Sequence, residues 1–100
     1  MYPVNISRQA ESDADEAAAW YDEQLEGLSK KFYDNLHQAI RKIQQYPALN
    51  PFYKNSKLIR KKNLHRFPYK IFYIFNKNEI FVLAIIHHKR SAKHIKRRLK

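Results

Sequence analysis

The chain has 100 residues, 44% hydrophobic and 14% aromatic, enough to bury the core of one compact domain and no more. It has no cysteine and a single glycine, which excludes disulfides, thiolate chemistry and cysteine-based metal sites and leaves no Gly- or Ser-rich linker at which to divide it. The net charge of +11 is unevenly placed: residues 1–28 hold seven acidic and one basic residue, and the remainder holds nineteen basic and two acidic, a field that favours polyanions, whether nucleic acid or an acidic protein.

In chain order, Val4 and Ile6 alternate with polar neighbours as in a short strand. Ser12 with Asp15 has the spacing of a capping box, and Asp13, Asp15 and Glu16 suit the positive end of a helix dipole, so the first helix is expected from about Asp13 to Glu26. Its dry stripe is Ala14, Ala17/Ala18, Tyr21 and Leu25. Trp20 and Tyr21 are expected to pack the helices together. Gly27 sits where a left-handed residue would end that helix. A second helix, about Ser29 to Tyr46, places Phe32, Leu36, Ala39/Ile40 and Ile43 on one face, and Pro47 stops it. So short a turn between two amphipathic helices predicts an antiparallel hairpin.

After the proline-punctuated segment "YPALNPFYKNSK" the apolar period changes from about 3.6 to 2. Leu58 to Arg66 reads as a basic strand, Tyr69 to Phe75 as an alternating one, and Ile80 to Ile86 as one dry on both faces. "NKNE" between the last two is a hairpin turn in which Asn can adopt positive φ. The fold class is therefore α+β: β-α-α-β-β-β, a helix hairpin on one face of a mainly antiparallel sheet, with a basic tail from about residue 89 to 100. The tail is expected to form a short helix or stay mobile, and its removal should cost the fold little. The opening residues lack the order of a signal peptide, and the longest dry run is too short to cross a bilayer, so a soluble cytoplasmic protein is the expectation.

The chemistry-bearing residues gather late in the chain. His87 and His88 are natural acid/base candidates, since histidine titrates near neutrality, but neighbours in a strand point to opposite faces and cannot both line one groove unless the strand bends. Arg60, Arg66, Lys70 and Arg90 can supply cations beside a charged transition state. Arg60, Arg66, Lys89, Arg90, Lys93, Arg97 and Arg98 are the candidate contacts to an anionic partner. The acidic residues lie almost entirely in the first helix, so clustered His and carboxylate ligands for a metal are not expected, and no motif for a cofactor is present.

The strings "EAAAWYDEQLEGL", "KKFYDNLHQAIRKIQQYP", "LHRFPYKIFYIF" and "IFVLAIIHHKR", in this order over nearly the whole chain, resemble the RelE/ParE superfamily of toxins from type II toxin-antitoxin modules. Trp20-Tyr21, Gly27-Leu28, Arg66-Phe67-Pro68-Tyr69, and His87 three residues before Arg90 resemble its ParE-like, or plasmid-stabilisation, branch. The resemblance implies a growth inhibitor held silent, in a hetero-oligomer, by an acidic antitoxin. ParE-like members poison DNA gyrase without catalysing bond cleavage, and RelE-like members cut mRNA on the ribosome. For the second activity the matching catalytic residues would be His87, His88, Lys70 and Arg66. Lys70 falls where RelE-like members usually have arginine, and lysine lacks arginine's planar two-point grip on phosphate. The leading expectation is the ParE-like toxin; the alternatives are a ribosome-dependent endoribonuclease and a nucleic-acid-binding module without toxicity.

Overall fold

Ser7, not Ser12, starts the first helix. The computed structural model describes residues 1–90 and 95–99, and in it the Ser7 Oγ accepts the Ala10 N–H at 3.0 Å, so that α1 runs Arg8–Gln24. Asp13 and Asp15, expected in the first turn, therefore lie deeper in the helix and serve tertiary contacts instead: Asp15 accepts the Tyr33 hydroxyl of the next helix, which pushes the Tyr33 pKa up to about 12. Ala10, Ala14, Ala17, Ala18 and Tyr21 form the buried stripe. Leu25, which lies past the last turn, is 62% exposed.

Gly27 takes the left-handed conformation, φ 86°, and α2 follows from Leu28 to Gln45. The Asp22 carboxylate closes the turn by accepting both the backbone N–H and the hydroxyl of Ser29, at 2.9 and 2.8 Å, and the backbone bond holds its pKa below the usual carboxylate value. Phe32, Leu36, Ala39, Ile40 and Ile43 are all buried, as the period requires. They pack with Tyr21, Phe67 and Tyr69 in a set of edge-to-face rings, an arrangement that adds to what area burial alone supplies.

The sheet joins β1 (Val4–Ile6), β2 (Ile59–Asn63), β3 (Tyr69–Asn76) and β4 (Glu79–His87) in the spatial order β1-β4-β3-β2. β1 runs parallel to β4, and the other pairs are antiparallel. The β3–β4 hairpin turns through Lys77 and Asn78, both at positive φ, as a two-residue loop matching the strand twist demands. β2 is shorter than the expected Leu58–Arg66 strand, because the chain turns away after Asn63.

β4 is dry on both faces for two reasons. Ile80, Val82 and Ile85 pack against the helices, while Leu83 and Ala84 face outward and pack with Ile59, Phe72 and Ile95. The switch of face comes from a bulge: Phe72 pairs with Ala84 but Tyr73 with Val82, leaving Leu83 extra. The backbone groups freed there find side chains. Arg98 Nη1 and Ser7 Oγ donate to the Leu83 carbonyl, and the Ile85 N–H donates to Asp13 Oδ2 at 3.0 Å.

Of the two forms expected for the tail, the short helix is the one found, and its packing corrects the expectation that removing it would cost the fold little. Residues 91–94 and 100 lie outside the described residues, but Ile95–Leu99 forms a 3-10 turn whose Ile95 is 3% exposed in the outer cluster. Arg98 pairs with Asp13. The last segment is thus a packed clasp over the outer face of β4.

Candidate functional site

Alternation along β2 sends Lys61 to the outer face, opposite Phe72, and Lys62 to the helix face, opposite Ile71. On β3, Lys70 shares the outer face with Phe72. The segment between α2 and β2 supplies the facing wall. It is held by the buried Tyr73, whose hydroxyl donates to the Pro47 carbonyl at 2.7 Å and accepts from Asn50 Nδ2 at 3.0 Å, and by Arg60, which donates to the carbonyls of Ala48 and Asn50. Tyr53 then stands edge-on to Phe72, ring centroids 4.9 Å apart.

Between these walls lies a groove of about 390 Å³, lined by Phe52, Tyr53, Lys54, Lys61, Lys70 and Arg90. Among the described residues its charges are all positive, and no carboxylate lines it. Lys70 lies 5.7 Å from the Phe72 ring centroid and Lys54 5.3 Å from that of Tyr53. Flat rings beside fixed cations can hold an anionic chain, charge drawing it in and the rings giving it apolar area.

Alternation along β4 sends the two histidines to opposite faces, and the bulge at Leu83 decides which face each takes. His87 is turned to the helix side, with its ring against Tyr69 at 5.1 Å and its Nδ1 accepting the Lys89 N–H at 3.0 Å. There it joins Trp20, Glu16, Asp13, Tyr69 and Arg90 around a second cleft of about 170 Å³. His88 lies on the outer side, and its backbone N–H donates to the Pro68 carbonyl. Partial burial, then the charges of Lys70, His87 and Lys61, lower its pKa below the ordinary histidine value. This favours its neutral form.

The other candidates divide as follows. Lys70 and Arg90 line the groove, and Arg90 also borders the second cleft. Arg60 is occupied: besides its two carbonyls, it stacks 4.0 Å from the Phe52 ring centroid, so it shapes the wall rather than offering a free charge. Arg98 is likewise committed to Asp13 and Leu83. Arg66 is exposed on the β2–β3 connection and lines neither cleft. Lys89 and Arg97 are exposed, and Lys93 falls outside the described residues. Reasoning from sequence passed over Lys54, Lys61, Phe52 and Tyr53; period 2 through "IRKKN" was the available signal for Lys61. Tyr21 packs the helix hairpin as expected, whereas Trp20 is 54% exposed at the second cleft. Among the described residues no three His, Cys, Asp or Glu side chains gather to hold a metal ion, and no helix is long and apolar enough to cross a membrane.

These features define a class of small α+β protein in which a helix hairpin backs a four-stranded sheet and the opposite sheet face carries a cationic, aromatic-walled groove. Residues 4–92 match the family described as the ParE toxin of the type II toxin-antitoxin system, parDE. The chain belongs to that family, and so to the type II toxins of the RelE/ParE superfamily. No curated protein matches the chain. Among solved structures, one of the chromosomal ParDE toxin-antitoxin system from P. aeruginosa superposes with a TM-score of 0.76 at 19% identity, covering 87% of this chain and 96% of that one. The isolated E. coli RelE toxin does so with a TM-score of 0.64 at 17% identity, covering 97% and 98%. At such identities the likeness is one of fold, and it extends to both branches.

Proposed function

We propose that this toxin arrests growth by binding its target, as a ParE-like poison of DNA gyrase in the cytoplasm, and that it does not cut RNA. The observation that carries this reading is that His87 and His88 lie on opposite faces of the sheet, with the β4 bulge turning His87 to the helix side. Metal-free cleavage of RNA needs one group to take the 2′-hydroxyl proton and another to protonate the leaving oxygen. The groove has cations, but beside it His88 is the sole described group with an ordinary pKa near neutrality, while His87 faces the helices against Tyr69. A single histidine among lysines can serve one of the two proton transfers and leaves the other without a group to perform it.

The same cationic face supports an acidic antitoxin as the silencing partner. Charge would set the rate of encounter, and apolar anchors, with Trp20 exposed at the second cleft to receive one, would supply much of the affinity. The test is to induce the chain alone in cells. Supercoiling and replication are expected to fail before translation, and co-expression of the acidic partner is expected to restore growth. Reproducible cuts in ribosome-bound mRNA, lost in His88→Ala or Lys70→Ala, would replace this reading with the endoribonuclease.

A further inference from the structure

On the helix side of β2, away from the groove, α2 and the end of β2 enclose a small hollow of about 50 Å³. Asn35, Gln38 and Lys42 line it from α2, and Lys62, Asn63 and His65 from the strand and the turn after it. Asn35 is the only polar residue in the buried interior among the described residues, at 9% exposure, and its Oδ1 has no hydrogen-bond partner. Buried polar atoms are nearly always paired, so an orphan at the wall of a hollow points to something that belongs inside it.

The charges around it point to what that is. Among the described residues two lysines and no carboxylate line the hollow, and neither lysine belongs to an ion pair. Burial, and then the neighbouring Lys42, lower the Lys62 pKa below the ordinary lysine value. The half-buried Lys62 and the exposed Lys42 therefore stand side by side with no carboxylate partner among the described residues. The hollow has room for a few waters or one tetrahedral oxyanion.

We infer that the hollow between α2 and β2 is a phosphate-binding site, in which Lys42 and Lys62 neutralise a phosphate group and the Asn35 amide donates to one of its oxygens. No hydrogen bond at Oδ1 fixes the orientation of that amide, so a half-turn presents its NH2 to the hollow. Lysines bind phosphate as mobile point charges, which suits a site whose shape is set by the asparagine. Because Lys61 and Lys62 point to opposite faces of β2, the site is separate from the groove and does not depend on the proposed mode of toxicity. The phosphate can be free inorganic phosphate or the phosphodiester of a nucleic acid; both bring the same chemistry.

The test is a titration of the full chain, labelled with 15N, with inorganic phosphate against chloride at matched ionic strength. Saturable shifts are expected at the side-chain amides of Asn35 and Gln38 and the backbone of Asn63 and His65. Lys62→Met should weaken the apparent affinity about tenfold or more, while Lys61→Met, on the other face, should leave it unchanged. Should Lys62→Met not fold, Lys42→Met, at an exposed helix position, carries the same expectation. A short oligonucleotide lacking terminal phosphates separates the sources. Saturation of the same resonances by it, at lower concentration, supports a phosphodiester; saturation by inorganic phosphate alone supports the free ion. Shifts that grow without saturating, or that are equal in the lysine variants, would show water in the hollow and overturn the assignment.

Discussion

Ile95→Ala should destabilise the protein far more than its place in a basic tail suggests. The residue is 3% exposed, packed on Ile59, Phe72, Leu83 and Ala84. Truncation to alanine removes three carbons, and at about 0.8 kcal/mol per buried methylene the transfer loss is about 2.4 kcal/mol. A cavity adds to that loss, and collapse of the thin outer layer, one 3-10 turn deep, subtracts from it, so about 2–3 kcal/mol is the net expectation. In a domain of this size that lowers the melting midpoint by about 10 °C or more. The assay is thermal unfolding followed by far-ultraviolet circular dichroism, with Lys96→Ala, exposed on the same turn, as control. A midpoint within about 2 °C of the parent would show that the turn lies on the sheet without stabilising it, and the packed clasp would have to be given up.

Gly27→Ala should cost about 1–2 kcal/mol from backbone strain alone, because φ is 86° and nothing lies within 4 Å of the added methyl; denaturant melts would show it, and an unchanged midpoint would mean that the turn adopts another conformation. The double change Lys61→Glu and Lys70→Glu should slow association with an acidic partner at low salt, the difference shrinking as salt is added; equal rates in stopped-flow mixing would remove the groove from the docking path. His88 should titrate below the ordinary histidine pKa, which an NMR pH series reads directly. Since its folded pKa is lowered, its contribution to stability is fully present above the unfolded value of about 6.5 and is lost as pH falls through the folded one. A polyanion bound in the groove should raise the His88 pKa, and no change on binding would place the anion elsewhere.

Much of this architecture could be read from period alone. The stripe Phe32, Leu36, Ala39/Ile40, Ile43 and the alternation from Tyr69 to Phe75 each match one face of one element, because burial on a single side leaves a clear pattern. What could not be read depended on contacts between distant residues. Ser12 and Asp15 have the spacing of a cap, yet Ser7 is the cap, since Asp13 is required at the Ile85 N–H and by Arg98, 85 residues away in sequence. The run "AIIHHKR" shows that neighbouring histidines diverge, but not which faces the helices, because that depends on an extra residue, Leu83, four positions upstream. Arg60 and Arg98 look like free cations in a list of charges. Only the carbonyls of Ala48 and Asn50 and the carboxylate of Asp13 reveal them as struts. The groove was half visible: Lys70 and Arg90 stand in it, while Tyr53 and Phe52 arrive from a connecting segment that has no period to read.

The bond from Arg98 to Asp13, and the pairing of Val4 with Ile80, also set an order on synthesis. Helix α1 leaves the ribosome early, but β1 has no strand to join until β4 has emerged, and the Leu83 carbonyl at the bulge lacks its Arg98 donor until residue 98 follows. Contacts so distant in sequence form late and slowly. A nascent or prematurely terminated chain therefore displays the apolar outer face of β4 and an unpaired Asp13, features by which proteases and chaperones sort unfinished proteins. For a toxin of this family, the closing turn at Ile95–Leu99 is thus what completes the outer face of the sheet.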